Sequence, residues 1–310
     1  YHDGEAKNGQ VRIVNEFLAT NLQKYDISWR LLIDNGVFAK GTLTEDQKNI
    51  EPGAEATVTL ENFPAVENAA EGTDYLLEFS VTLKEDQNWA GEYSGHKGDE
   101  IAYEQLELDY DSVVPRPAIE VSEDASITAE DADDTYTVTG TDGGNEFSVT
   151  FDKSTGYITN YTVNGDALLA EGPKPNYFRA RVSNDPNFTE EMKNAADNFS
   201  VEEFTVDAKD KVVTVHAAGT ITTLDSPQSI DYTIYANGDI VVTNQFTPAD
   251  NTAVGDIARI GMKMTVPQQY QDVTYYGRGP EENYIDRNTG SLIGVYHSTV
   301  EELSEAAKYT

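Results

Sequence analysis

Asp26-Ile27-Ser28-Trp29-Arg30-Leu31-Leu32-Ile33-Asp34-Asn35-Gly36-Val37-Phe38-Ala39 is the stretch that decides the fold class. Ile27, Trp29, Leu31 and Ile33 recur at every second position, with Ser28 and Arg30 between them. A period of two sends successive side chains to opposite faces of a pleated strand. Asp34-Asn35-Gly36 then turns the chain into Val37-Phe38-Ala39. Asn-Gly between alternating runs is the strongest short-range signal for a β-hairpin.

Outward from this hairpin the same period returns. Tyr75, Leu77, Phe79, Val81 and Leu83 alternate with Glu78, Ser80 and Thr82, and shorter runs occupy residues 11–14, 56–60 and 101–106. Their number and spacing predict an immunoglobulin-like β-sandwich over residues 1–112. Val113-Val114-Pro115-Arg116-Pro117 reads as the boundary, because two prolines in three residues favour a stiff connection that cannot donate to a ladder. Residues 119–134 are acidic and expected to be mostly exposed. From Thr135 hairpin signals follow one another, with turns at 142–145 and 152–156 and at Asn164-Gly165 and Asn237-Gly238. Residues 212–217 can pair with Ile221 or with the Ile230, Tyr232, Ile234 run. So long a series of hairpins predicts a second, large antiparallel sandwich over residues 113–310, and an all-β protein. Two short helices are expected: 190–196 capped by Thr189, and 303–308 behind the Thr299–Glu302 capping box.

Composition removes whole classes of function. At 310 residues with a net charge of −34, the chain is long enough for two domains and repels both nucleic acid and anionic membrane. No nucleic-acid partner and no membrane insertion are expected, since no apolar run approaches the ~18 residues of a span. The absence of cysteine excludes disulfides and thiolate chemistry. The chain opens Tyr1-His2-Asp3-Gly4, without initiator methionine or signal-peptide pattern, and is read as a piece of something longer. Its acidity and lack of cysteine favour an extracellular or cell-surface bacterial setting, with the cytoplasm as the alternative.

Late in the chain stands Gly277-Arg278-Gly279-Pro280-Glu281-Glu282-Asn283-Tyr284-Ile285-Asp286-Arg287, preceded by Tyr275 and Tyr276. Two glycines and a proline so close together exclude a helix or central strand. Arg287 can fork onto Asp286, Glu282 or a sugar diol. The run resembles the Gly-Arg-Gly-Pro-x-Glu-Asn-Tyr-x-Asp-Arg motif in the C-terminal domain of the large bacterial β-galactosidases, glycoside hydrolase family 2. Asn176-Tyr177-Phe178-Arg179-Ala180-Arg181-Val182-Ser183-Asn184-Asp185 is similar to a second run of that family, with Arg181 and Ser183 where the family carries proline and aspartate. Ala258-Arg259-Ile260-Gly261-Met262 extends the resemblance. Val14-Asn15-Glu16-Phe17, Tyr25-Asp26-Ile27-Ser28-Trp29, Trp89-Ala90, Gly95-His96 and Ala102-Tyr103-Glu104-Gln105 resemble the sandwich that follows the family's catalytic barrel.

That resemblance implies a galactose mutarotase-like supersandwich over 113–310, incomplete at its C-terminus. It marks Arg179, Asn184, Asp185, Arg278, Glu282, Asn283, Asp286 and Arg287 as residues that contact sugar or barrel, or that only lock a turn through ion pairs. It implies a parent enzyme hydrolysing terminal β-galactosides with retention, through two glutamates on a (β/α)₈ barrel. The β-galactoside is then reached through that barrel. The resemblance allows homo-oligomers and a divalent or sodium ion in the parent, and no cofactor is expected on this chain.

No catalytic residue is assigned here. A barrel takes about 250 residues of alternating strands and helices, a rhythm missing from this sequence. Asn15-Glu16 has the form in which that family presents its acid/base glutamate, yet Val14 and Phe17 beside it read as sandwich strand. Glu190-Glu191, Glu202-Glu203 and Glu301-Glu302 are neighbours, which a strand points to opposite faces, so solvated charge is expected. His96 reads as a loop hydrogen-bonder, and His216 and His297 are candidates by type alone for a mutarotase-like epimerase. Acidic turns at 131–134 and 142–146 lack the spacing of a calcium loop, which leaves the metal question open. The expected role is non-catalytic: scaffolding the barrel and the active-site rim. The rival reading is a carbohydrate-binding or adhesin sandwich without hydrolytic activity.

Overall fold

The computed structural model describes residues 6–66, 69–70, 72–90, 93–110, 118–179, 190–250, 256–281, 283 and 287–306, so the expected boundary at 113–117 lies outside the described residues. The chain divides into two compact units, Tyr1–Ala118 with Gln271–Thr310, and Ile119–Tyr270. Both are built of antiparallel strands.

The first unit begins with β1 (Gln10–Val14), β2 (Tyr25–Ile33), β3 (Gly36–Thr42), β4 (Glu55–Thr59), β5 (Tyr75–Leu83), β6 (Gln87–Ala90), β7 (Tyr93–Gly95) and β8 (Glu100–Glu107). β1 pairs with β4, β6 with β7, and the remaining four form a sheet in the order β3-β2-β5-β8. Ile27, Trp29 and Leu31 pack inward with Val11, Val58, Leu77 and Leu106, as the alternation requires. Each such side chain contributes roughly 1.5–3 kcal/mol when fully buried. The β2–β3 turn rests on Asp34 and Asn35. Asp34 takes φ 45, a left-handed conformation that aspartate tolerates, and Gly36 already belongs to β3. The alternation predicts one buried face. In the structure Leu32 and Leu76, on the opposite face, are buried too.

The second unit holds β9 (Ser126–Asp131), β10 (Thr135–Asp142), β11 (Asn145–Asp152), β12 (Tyr157–Val163), β13 (Asp166–Ala167), β14 (Glu171–Asn176), β15 (Phe199–Lys209), β16 (Val212–Ile221), β17 (Ser226–Tyr235), β18 (Ile240–Phe246) and β19 (Gly261–Thr265). One sheet runs β13-β12-β11-β10-β9, another β15-β16-β17-β18, and β14 pairs with β19. The two large sheets share a core in which Val138, Val149 and Phe151 meet Val215, Ile230 and Tyr232. The Phe151 and Tyr232 rings stand edge-on with centroids 5.0 Å apart. Of the two pairings open to residues 212–217, the structure takes the second: Val213, Val215 and Ala217 lie opposite Ile234, Tyr232 and Ile230, and Ile221 ends the same strand. The acidic stretch after residue 119 is exposed as expected but contributes the edge strand β9. Glu190–Asn194 forms a 3₁₀ turn where a helix is expected, and its cap Thr189 lies outside the described residues.

The chain then returns to the first unit with β20 (Asp272–Gly279), β21 (Leu292–Thr299) and α1 (Val300–Ala306). Thr299 and Glu302 make the capping box: Thr299 N–H donates to Glu302 Oε2 at 3.0 Å and Glu302 N–H to Thr299 Oγ1 at 3.2 Å. Among the described residues α1 is the only α-helix, and no helix is long and apolar enough to cross a membrane.

Candidate functional site

Residues 277–279 of the motif run end β20, and its described residues beyond them lie in the connection to β21. Tyr275 pairs with Tyr296 across this ladder, their ring centroids 5.4 Å apart, and Gly277 pairs with Gly294. A Cβ on Gly279 would overlap the Tyr275 hydroxyl and fall 2.8 Å from Tyr296 Cδ2, so only glycine fits there.

The hairpin is held to the outer face of the β3-β2-β5-β8 sheet by side chains standing in for a neighbouring strand. Gln105 on β8 accepts from Ile293 N–H at 2.7 Å and donates to Ile293 C=O at 2.9 Å. The same amide nitrogen donates to Glu78 Oε1 at 2.9 Å, and Arg30 Nε donates to the other Glu78 oxygen at 2.8 Å. Asn35, at the β2–β3 turn, accepts from Val295 N–H at 3.2 Å. Tyr103 donates to Gly290 C=O at 2.7 Å, and Tyr276 to Asp74 Oδ2 at 2.8 Å. Burial, and then the Asp74 carboxylate, push the Tyr276 hydroxyl well above the usual phenol range.

The predicted site residues separate here. Arg278 forks between Glu107 Oε1, at 2.7 Å, and Ser291 C=O, at 3.1 Å. Asn283 donates to Arg278 C=O at 3.1 Å, and Arg287 is exposed. Arg179 is half-buried, engaged, and part of the second unit. Asn184, Asp185, Glu282 and Asp286 lie outside the described residues. Sequence reasoning missed the Arg278–Glu107 pair and the amides of Asn35 and Gln105, because each joins positions far apart in sequence.

Elsewhere, Asn15 is 1 % exposed, and its amide donates to the Thr20 and Ile50 carbonyls at 2.8 Å each while accepting from Phe17 N–H at 3.0 Å. That consumes the side chain as a loop brace. His96 sits in an exposed turn closed by Asp99. His216 meets Asp231 at 2.6 Å across β16 and β17, and His297 meets Thr274 at 2.9 Å. One expectation is overturned. A β-bulge between Val201 and Glu203 turns Glu202 and Glu203 into the same open groove of about 410 Å³, where opposite faces are expected of neighbours on a regular strand. Thr220 donates to Glu202 there at 2.9 Å. Asp142, in one of the acidic turns, is taken by Ser122, whose hydrogen bonds hold its carboxyl below the usual range. Among the described residues no group of His, Asp or Glu is arranged to hold a metal ion.

These features define an all-β protein of sandwich units, with a tyrosine-paired hairpin clamped by amides and an arginine fork. Residues 143–309 match the family described as beta galactosidase small chain, and residues 11–109 match beta-galactosidase, domain 4. The chain belongs to the beta galactosidase small chain family. It is 29% identical over 302 residues to a β-galactosidase of Priestia megaterium, covering 95% of this chain and 27% of that protein. It is 27% identical over 309 residues to one of Lactobacillus delbrueckii subsp. bulgaricus, covering 96% and 28%. It is 26% identical over 300 residues to one of Streptococcus thermophilus, covering 94% and 27%. The chain thus spans less than a third of the length of these relatives.

Proposed function

We propose that this chain is a non-catalytic, scaffolding part of a β-galactosidase of glycoside hydrolase family 2, and that its second unit belongs to a mutarotase-like supersandwich. In this reading the complete enzyme hydrolyses terminal β-galactosides with retention, and the glutamate pair sits on polypeptide other than these residues. The observation that carries the reading is the match to β-galactosidases along nearly the whole chain, joined to an architecture of antiparallel sheets. A retaining pair needs two carboxyls about 5 Å apart across a bound sugar. The groove holding Glu202 and Glu203 is open and polar, and Thr220 already engages Glu202. Arg278 and Asn283 fit the structural side of the motif's two readings, because Arg278 donates to Glu107 and Ser291 and Asn283 donates to the Arg278 carbonyl, all within this chain.

The test is direct. Purified chain incubated with a chromogenic β-galactoside is expected to give no turnover above buffer. Turnover that disappears in Glu202→Gln or Glu203→Gln would overturn the proposal and move catalysis to the bulge.

A further inference from the structure

Asn8-Gly9, Asn35-Gly36, Asn164-Gly165 and Asn237-Gly238 are the chain's four Asn-Gly pairs. In such a pair the glycine nitrogen, with no side chain beside it, can attack the asparagine Cγ. The four differ in what the attacking nitrogen already does. Gly9 N–H donates to Ala6 C=O and Gly238 N–H to Tyr235 C=O, each at 2.9 Å. Gly36 is a ladder residue of β3, opposite Ile33. Gly165 stands exposed in the turn between β12 and β13, and among the described residues no acceptor meets its N–H. A Cβ placed on Gly165 would meet nothing within 4 Å, so ring closure has room there.

The carbon under attack is prepared as well. Asn164 and Gly165 take φ 52 and 85, the two left-handed residues of a two-residue hairpin turn. This turn brings Asn164 Oδ1 to Glu146 N–H, which donates to it at 2.9 Å. Attack at Cγ drives negative charge onto that oxygen, and a donor already in place stabilises it. The Asn164 amide nitrogen donates to Asn145 Oδ1 at 2.9 Å, an exposed, neutral bond of modest strength. Asn237, in the matching turn after β17, is held harder. Its amide nitrogen donates to Glu120 C=O and Asp239 Oδ2, and its Oδ1 accepts from Asp239 N–H.

We propose that Asn164 is a self-modification site, which the folded chain converts to aspartate and isoaspartate ahead of the other three. The bond from Gly165 N to Cγ forms and the Cγ–Nδ2 bond breaks. The Gly165 proton passes to solvent, and Nδ2 leaves with a solvent proton as ammonia. One water then opens the resulting succinimide at either carbonyl, and no oxidant or reductant takes part. The product adds a carboxylate to a chain of net charge −34. Isoaspartate also threads the main chain through its side-chain methylene. That lengthens a turn whose register pairs Val163 with Asp166 and Thr162 with Ala167, and it loosens β13 from the edge of its sheet. The site does not depend on the function proposed above.

The full chain is aged at mildly alkaline pH, folded and in guanidinium chloride. Each Asn-Gly peptide is followed by mass spectrometry and by labelling with an isoaspartyl methyltransferase. Denaturant exposes all four pairs alike, so the ratio of folded to unfolded rate isolates what the fold does. That ratio is expected to be about 2–10-fold higher at Asn164 than at Asn8, Asn35 or Asn237, the equivalent of one backbone hydrogen bond that the attacking nitrogen keeps elsewhere. An equal or higher ratio at any of the other three overturns the proposal. Asn164→Ser removes the amide and is expected to abolish most of the isoaspartate formed by the folded chain; unchanged labelling overturns it too. In the aged fraction, hydrogen exchange at Asp166 and Ala167 is expected to be faster than in fresh chain. Equal exchange rejects the loosening of β13.

Discussion

Gln105 uses every polar atom of its amide, two bonds to Ile293 and one to the buried Glu78. Gln105→Leu keeps the volume but leaves the Ile293 N–H and C=O and one Glu78 oxygen without partners. An orphaned group costs about 1–3 kcal/mol when fully buried. Because these three bonds are only part-buried, so that water replaces some of each, a combined loss of roughly 2–4 kcal/mol in urea unfolding is expected, with faster hydrogen exchange at the Ile293 amide. Unchanged exchange would mean that the amide does not hold the hairpin. Glu45 offers a second check, in pH. Hydrogen bonds from Lys48, then Lys84, bring its carboxyl from an ordinary 4.5 down to about 2. A carboxylate whose folded pKa lies below its unfolded value stabilises the fold above the unfolded pKa, and loses that contribution as pH falls through the folded one. The wild type is therefore expected to lose melting temperature more steeply than Glu45→Gln between pH 4.5 and about 2. Parallel curves would exclude the role.

The β20–β21 hairpin depends on the close approach of Gly279 to two tyrosine rings. Gly279→Ala must push Tyr275 or Tyr296 aside, and overpacking of this kind costs about 1–3 kcal/mol. The near-ultraviolet dichroism of the tyrosine pair is expected to fall with it. Gly277→Ala is the control, because its Cβ would meet only Tyr275 Cδ2, at 3.9 Å. Equal effects at both positions would show that the hairpin needs glycine for its backbone alone. The same hairpin marks how far the sequence carries. β2, β5 and the hairpins after Thr135 were legible because their side chains alternate and their turns use Asp, Asn and Gly. β15 was not, because the bulge beside Glu203 breaks the period and acidic residues fill its outer face. β9 was hidden by acidity in the same way. The motif at 277–287 was visible as a turn, but its partners Asn35, Asp74, Gln105 and Glu107 lie far away in sequence, and no spacing rule joins them.

Across the whole chain 55 acidic side chains face 21 basic ones, and many of the bases are already paired: Arg12 with Glu55, Lys48 and Lys84 with Glu45, Lys153 with Asp131, Lys174 with Glu171. The surplus carboxylates face solvent and one another. Folding concentrates them, so their repulsion works against the compact state. Salt shortens the reach of that repulsion from about 10 Å at 0.1 M to about 3 Å at 1 M. Salt also weakens the surface ion pairs, but exposed pairs contribute only about 0–1 kcal/mol each, while the imbalance acts over the whole surface. The melting temperature is therefore expected to rise between 10 mM and 1 M NaCl by several degrees, the equivalent of about 1–3 kcal/mol for a chain of this size. KCl and choline chloride should act alike at equal ionic strength, because screening does not depend on which cation carries it. A rise confined to one cation would point to a specific site instead, and a flat or falling curve would show that the excess negative charge is spread too thinly to matter.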